Sequence, residues 1–418
     1  MFKPFLWGDF FPGQKQFCQR TILRPYSRYL SMETSATATY STQLSDEQRA
    51  VRGLARDFAE GEIRPVVMEF DESQEFPAEL FGKMAELGFL GIMVPPEYGG
   101  AGLGALEAAL IVEEIARVDP SVALGVAAHN GLCTGHIFNF GSEELKQEYI
   151  PQLATGQTIG AWGLTEPGSG SDAGGMQTVA HRDGEGWVLN GSKNFITHGT
   201  VGTVAVIMAV TDREKKGSGI SAFVVDKSMP GFAASKKENK LGMRCSDTSS
   251  LSLEDVRVPG KNLIGNEGEG FKQALRILDG GRISIAALSV GLAQGALDAA
   301  IKYANERAQF GKNLAMFQGV QFKLAMMATE VEAARLLTYQ AAYLRDLGKD
   351  YSIEASKAKF FASEVAVRCA NEAVQIHGGY GYIKEYPVEK FYRDAKLLTI
   401  GEGTSEIQKI VISRSVLR

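Results

Sequence analysis

"AWGLTEPGSGSDAGG", Ala161 to Gly175, decides the fold. Within it, Gly168-x-Gly170-x-x-Ala173 has the spacing of a dinucleotide-binding fingerprint. That fingerprint works only where it ends a strand and opens a helix of a βαβ unit. Here the next run, "MQTVAHRD" at 176–183, has the pattern of another strand. The doubly wound reading therefore fails. What remains is a loop dense in Gly, Ser and Thr whose N–H and O–H donors suit anionic oxygens or the polar edge of a planar ring. A plain surface turn explains this cluster, taken alone, equally well.

Downstream of the loop, "GWVLNGSKNFIT", "GTVAVIMAV", "SGISAFVVDK" and "SSLSLEDVRVPG" are short, β-branched and bounded by turn residues. They predict a β domain, barrel-like or sandwich, over 159–268, with turns at Asn190-Gly191 and Pro230-Gly231. Upstream, Ser45 and Gln48 form a capping box ahead of helical spacing at Val51, Leu54, Ala55, Phe58 and Ala59. Further helical patterns follow, the last of them, "GSEELKQEYIPQLATG", broken by Pro151. Residues 41–158 thus read as an α domain. From 269 to 418 long amphipathic runs rich in Ala and Leu predict a four-helix bundle. One run begins at Ser352 and ends at Gly378-Gly379. Another follows Glu402, where Ser405 and Gln408 resemble a capping box. The fold class is α+β multi-domain.

Composition narrows the function. With 44% hydrophobic and 22% charged residues, the 418-residue chain needs no disulfide or metal to build its core. A net charge of -5 gives no support to bulk nucleic-acid binding. The longest apolar runs fall short of a bilayer span, so no stable membrane insertion is expected. Cys18, Cys133, Cys245 and Cys369 form no C-x-x-C pair, and the histidines are scattered, so no metal site is expected. Residues 1–40 carry Lys3, Lys15, Arg20, Arg24 and Arg28 against Asp9 and Glu33, and end in Ser, Thr and Ala. This is the profile of an organelle transit peptide, with a disordered extension as the alternative.

Three further clusters could carry chemistry. In "NGSKNFITHG", Phe195 and Thr197 share one strand face and Ile196 the other. An aromatic and a hydroxyl so placed can stack on a ring and bond its rim, though a half-buried hairpin strand needs no ligand. In "ERAQFGK", Arg307 and Lys312 could pair with phosphates, with Gln318 close by; a solvated helix end accounts for them nearly as well. In "IGEGTSEIQ", Glu402 stands between Gly401 and Gly403 just before a helix. Glycines there allow unusual dihedrals and close approach of another molecule.

Together, in this order and spacing, "LTEPGSGSDAGG", "NGSKNFIT", "RAQFGK", "QIHGGYGY" and "YRDAKLLTIGEGTSEIQ" resemble the acyl-CoA dehydrogenase family, nearest its short- and medium-chain straight-chain members. The resemblance runs from about residue 44 to the C-terminus. It implies FAD, a homotetramer, and dehydrogenation of an acyl-CoA thioester to trans-2-enoyl-CoA in β-oxidation. Electrons would pass to an electron-transfer flavoprotein, and the location would be the mitochondrial matrix or, alternatively, a bacterial cytoplasm. By resemblance Glu402 is the base. Trp162, Gly163, Leu164, Thr165, Gly170 and Ser171 would line the flavin, with Phe195, Ile196 and Thr197 on its other side. Arg307, Phe310, Gln318, Gln375, Gly378 and Gly379 would hold the rest of the cofactor, partly across a subunit contact. Thr404 and Glu406 would touch it near the base. Ser171, Asp279, Arg282 and Gly403 would contact the acyl-CoA.

Two departures from the family pattern matter. Phe195 stands where Trp is common, and Gly401 where Tyr is common. Some members carry the base just before the arginine of "LDGGR", which here is Gly281, leaving Glu402 as the candidate. An acyl-CoA oxidase and a decarboxylating glutaryl-type enzyme are the enzymatic alternatives; the chain ends "SVLR", not "SKL". A flavin-bound scaffold that no longer turns over is the alternative from another class.

Overall fold

The computed structural model describes residues 43–417. The leader, and with it the transit-peptide expectation and Cys18, lies outside the described residues.

The N-terminal region is helical: α1 (Asp46–Phe58), α2 (Val67–Ser73), α3 (Ala78–Glu86), α4 (Ala105–Ala116), α5 (Pro120–Ala128), α6 (Gly135–Phe140) and α7 (Glu143–Ala154). Ser45 closes the expected capping box on α1 with Gln48. Pro151 does not break α7, which runs on to Ala154. Only one intrahelical bond is lost there, near the helix end, where carbonyls lack helical partners anyway.

One seven-stranded sheet forms the middle: β1 (Gly160–Gly163), β2 (Val179–Asp183), β3 (Gly186–Thr197), β4 (Val204–Val210), β5 (Ile220–Asp226), β6 (Phe232–Ala234) and β7 (Thr248–Val258). Its order is β1-β4-β2-β3-β7-β6, with β5 also on β4 and β1 parallel to β4. The run "VAVIMAV" is apolar throughout because β4 is covered on both faces. Val204, Val206, Met208 and Val210 pack with Ile137, Leu145 and Leu153, while Ala205, Ile207 and Ala209 pack with Leu189, Phe223 and Leu251. Asn190-Gly191 is not a turn: it lies inside β3 at a register shift against β7. Asn190 instead exchanges hydrogen bonds with Asp255, accepting from its N–H and donating to its Oδ1, both at 2.9 Å. The β2–β3 hairpin turns at Gly184 and Glu185, with Gly184 at φ 59°.

The C-terminal region holds α8 (Gly270–Glu306), α9 (Gln318–Asp346), α10 (Ser352–His377), α11 (Val388–Leu398) and α12 (Ser405–Val416). Three of these are long. The fourth position of the predicted bundle is taken by two short helices, α11 packing on α8 and α10, and α12 on α10. Contrary to the reading of apolar runs, α8 is long and apolar enough to cross a membrane by length and composition. Its apolar window is 78% buried within the protein, against α4, α9 and α10.

Candidate active site

Glu402 sits in the turn between α11 and α12. Its φ is 52°, a strained value for a residue with a side chain, and Gly403 follows at φ 92°. The next helix is capped by Thr404, whose Oγ1 accepts from Ile407 N at 3.3 Å. The expected cap at Ser405 is therefore displaced by one residue: Ser405 Oγ donates to Glu364 Oε1 at 2.6 Å. Gln408 does not cap either. Its Nε2 donates to Gly403 O at 3.0 Å and Glu402 O at 3.3 Å, so it holds the turn.

Glu402 as a residue is partly exposed, but its Oε2 is buried without a hydrogen-bond partner. A Cβ built at Gly281 on α8 would lie 2.0 Å from that oxygen. Gly281 thus makes the space the carboxylate fills; a side chain there and Glu402 in this position exclude each other. Burial pushes the Glu402 carboxyl up to about 7, against partial opposition from Lys359 and Arg282.

Around it, Arg282 pairs with Asp279, and its Nη1 reaches Ser356 Oγ at 3.3 Å. Its Nε is buried and unpartnered. Asp279 also accepts from Ser352 Oγ at 2.9 Å, and burial pushes its pKa up. Lys359 on α10 is fully buried and donates to Gly403 O at 2.7 Å. Two adjacent side chains, Glu402 and Arg282, therefore present unsatisfied buried polar atoms, an arrangement that calls for a ligand.

The Gly-Ser loop lies at the end of β1. Thr165 O accepts from Asn194 N at 2.8 Å, which sets the loop beside Phe195 on β3. Phe195 is 66% exposed at φ 57°, Ile196 is in the core and Thr197 half-buried, as the face assignment expected. Gly170 and Ser171 are exposed, and nothing lies within 4 Å of a Cβ built at Gly168 or Gly170. A largely exposed ring beside a loop whose Gly170 and Ser171 are open to solvent fits a planar, hydrogen-bonding cofactor such as a flavin. Trp162, Gly163 and Leu164 are buried instead.

Several residues that matter here escaped the sequence reading. Glu166 closes the loop on itself: its carboxylate accepts from Gln177 N and Thr178 N and pairs with Lys193 Nζ at 2.7 Å. Burial acts upward on Glu166, but Lys193 and these donors outweigh it and hold it below the ordinary range. Trp162 Nε1 donates to His136 Nδ1 at 3.0 Å, and His136 Nε2 meets Gln273 Oε1 of α8 at 3.0 Å. The only hint in the sequence was a Lys and a Glu inside the two quoted motifs.

The remaining candidates are elsewhere. Arg307 caps the C-terminal end of α8, with its guanidinium 5.4 Å from the Tyr380 ring centre. With Gly378, Gly379, Tyr303 and His377 it lines a cleft of about 450 Å³. Phe310, Gln318 and Gln375 are exposed, Phe310 at φ 54°. Thr404 spends its hydroxyl on the α12 cap, and Glu406 is exposed. At 1.5 Å per residue, Arg307 lies roughly 39 Å along α8 from Gly281, farther than one dinucleotide extends. Gln273, which orients Trp162, is only about 12 Å along the same helix. One chain thus brings the loop and acid candidates near one another but leaves the Arg307 cluster far from both. Among the described residues, no group of His, Cys, Asp and Glu could hold a metal.

Three family models match the chain: "Acyl-CoA dehydrogenase, N-terminal domain" over 45–157, "middle domain" over 161–256 and "C-terminal domain" over 268–417. Short-chain specific acyl-CoA dehydrogenase, mitochondrial, of Rattus norvegicus is 45% identical over 91% of this chain and 93% of its own. The caffeyl-CoA reductase-Etf complex subunit CarC of Acetobacterium woodii is 48% identical over 90% and 99%. The solved butyryl-CoA dehydrogenase of Megasphaera elsdenii superposes with a TM-score of 0.89 at 43% identity, covering 91% and 100%.

Proposed function

The chain belongs to the acyl-CoA dehydrogenase family, FAD-dependent oxidoreductases acting on acyl-CoA, and from that premise we propose that Glu402 is the base for α,β-dehydrogenation of a short fatty acyl-CoA. The observation that carries this is the unpartnered, buried Oε2 of Glu402.

The α-proton of a thioester is weakly acidic, so its removal needs a base with a pKa near working pH, held out of water. Burial raises Glu402 to about 7, which suits that task. The α C–H bond breaks and its proton goes to Glu402 Oε2; the electron pair left behind becomes the Cα=Cβ bond as the β C–H bond breaks and the β-hydrogen leaves with two electrons, giving a trans-2-enoyl-CoA. The bound flavin supplies the two-electron acceptor for the β-hydrogen. Thr165, the exposed backbone of Gly170 and Ser171, and the face formed by Phe195 and Thr197 would hold its ring. Arg282 and Asp279 would meet the thioester side, where the unpartnered Arg282 Nε is available. Because Arg307, Gln318, Gln375, Gly378 and Gly379 lie at the far end of α8, they would complete the cofactor site of a second copy, which favours a homo-oligomer, a tetramer in our reading.

The rat and Megasphaera relatives support short acyl chains, and the Acetobacterium relative, named as a subunit of an Etf complex, supports an electron-transfer flavoprotein as partner. The leader and the rat relative favour the mitochondrial matrix; the bacterial relatives make a bacterial cytoplasm the alternative. Glu402→Gln should keep flavin bound yet slow its bleaching by acyl-CoA about 10³-fold or more under anaerobic mixing. Near-normal bleaching would remove Glu402 from the role. Titration of the wild type with straight and branched acyl-CoAs of increasing length tests the substrate class.

A further inference from the structure

The sequence "SKAKFFASE", Ser356 to Glu364, places Lys359 on the apolar stripe of α10 with Ala355, Ala358, Ala362 and Ala366. Such a position normally takes a small apolar residue. The lysine there is fully buried, and its Nζ donates to Gly403 O at 2.7 Å. Among the described residues it makes no ion pair with a carboxylate. A buried ammonium held by one carbonyl is costly to keep.

What it faces explains the cost. Glu402 is on the turn, Arg282 on α8, Glu364 on α10 itself and Glu406 on α12. Glu364 is engaged by Ser405, Glu406 is in solvent and Arg282 is paired to Asp279. That leaves Glu402, the only one of the three carboxylates with a buried unpartnered oxygen, as the charge Lys359 is free to act on. The Glu402 turn also needs an external hold, since φ of 52° is unfavourable for a residue with a side chain. Lys359 from α10 and Gln408 from α12 both donate to the Gly403 carbonyl and supply it.

We propose that Lys359 is a positioning residue for the base: its ammonium pins the Gly403 carbonyl, and its charge keeps Glu402 ionised at lower pH than burial alone would allow. This rests on Glu402 being the base. The pKa directions agree: Lys359 draws Glu402 down from where burial would put it, and Glu402 draws Lys359 up from where burial would put it, leaving the lysine at about 8.

Three variants of the flavin-loaded enzyme separate the two roles. Lys359→Met loses bond and charge, Lys359→Gln keeps a donor, and Lys359→Arg keeps the charge. The readout is the anaerobic rate of flavin bleaching by butyryl-CoA as a function of pH, between about pH 5 and 9. With Met and Gln, the acid limb should move up by about one unit, so that rates below the limb fall about tenfold. With Arg, the limb should stay near the wild-type position. A Met or Gln variant that binds flavin normally and keeps the wild-type limb overturns the proposal. So does an Arg variant whose limb moves as far as that of Met. Should Met fail to hold flavin, the Gln–Arg pair decides alone. Glu402→Gln tells the two readings apart. If it is inactive while the Lys359 limb stays put, only this proposal falls; if it bleaches normally, the base assignment itself has failed.

Discussion

Two lysines of the C-terminal helices, Lys359 on α10 and Lys390 on α11, are fully buried, and their surroundings differ in one respect. Lys390 lies between two carboxylates, Asp119 Oδ1 at 2.8 Å and Asp394 Oδ2 at 2.6 Å. Those carboxylates are engaged in turn: Asp119 caps α5 through Ser121 N, and Asp394 accepts from Met243 N. Burial would lower the Lys390 pKa, but the two aspartates more than offset it and the net shift is upward. Around Lys359 burial wins, and the Glu402 carboxylate keeps an unpartnered buried oxygen. The complete cluster ties α5, the loop before β7 and α11 together. The incomplete one leaves the Glu402 carboxyl, the proposed base, near neutral pH. A buried charge that is fully paired holds structure, and one left unpaired is available for chemistry.

The comparison can be broken first at its structural end. Lys390→Met should cost about 3–5 kcal/mol, because Asp119 and Asp394 would face each other without a cation. Chemical denaturation of the flavin-loaded protein measures this, and bleaching per bound flavin should be unchanged. A loss below about 1 kcal/mol would mean that the pairing is incidental.

At the chemical end, Gly281→Ala is the sharper probe. Its new Cβ would lie 2.0 Å from Glu402 Oε2, so the carboxylate must move. Displacement on that scale should slow bleaching about 10²-fold with flavin retained. Gly401→Ala is the control. Its Cβ would come no nearer than 3.6 Å to Leu397 O, and the rate should hardly change. Equal losses in both variants would show general sensitivity of the turn rather than a shaped space for the acid.

The same contrast explains how much could be read from sequence. Periodicity gave the three regions, because α8, α9 and α10 each carry sustained apolar stripes and β4 an uninterrupted one. The motifs singled out Glu402 and the Gly-Ser loop, and the family resemblance they carry together implied Arg282. Whatever depends on partners distant in sequence was not legible. Asn190-Gly191 has turn chemistry, yet Asp255, sixty-five residues on, turns it into a bulge. Thr404 and Ser405 are both good caps, and only Glu364 on a neighbouring helix takes Ser405 away. Nothing local sets Lys359 and Lys193 apart from solvated charges, although the fold buries both, and nothing local marks α8 as a core helix rather than a spanning one.

The smallest effect tests whether the proposed flavin side of the site, around Trp162, follows the structural rule or the chemical one. His136 is fully buried; its Nδ1 accepts from Trp162 Nε1–H, so the proton must sit on Nε2, which then donates to Gln273 Oε1. Both ring nitrogens are used, as in the Lys390 cluster, and burial pushes the imidazole down to about 4. His136→Phe leaves Trp162 Nε1 and Gln273 Oε1 without their His136 bonds and should cost about 1–3 kcal/mol at neutral pH. The pH dependence carries the sign. The folded-state pKa lies below the ordinary 6.5, so the unfolded chain binds more protons between those values. The stability His136 contributes is full above about 6.5 and declines as pH falls toward 4. Phe cannot be protonated, so the deficit of the variant should shrink as pH is lowered through that window, read as converging denaturation midpoints. A deficit that stays constant with pH would mean that His136 fills space rather than holding Trp162 through a neutral ring.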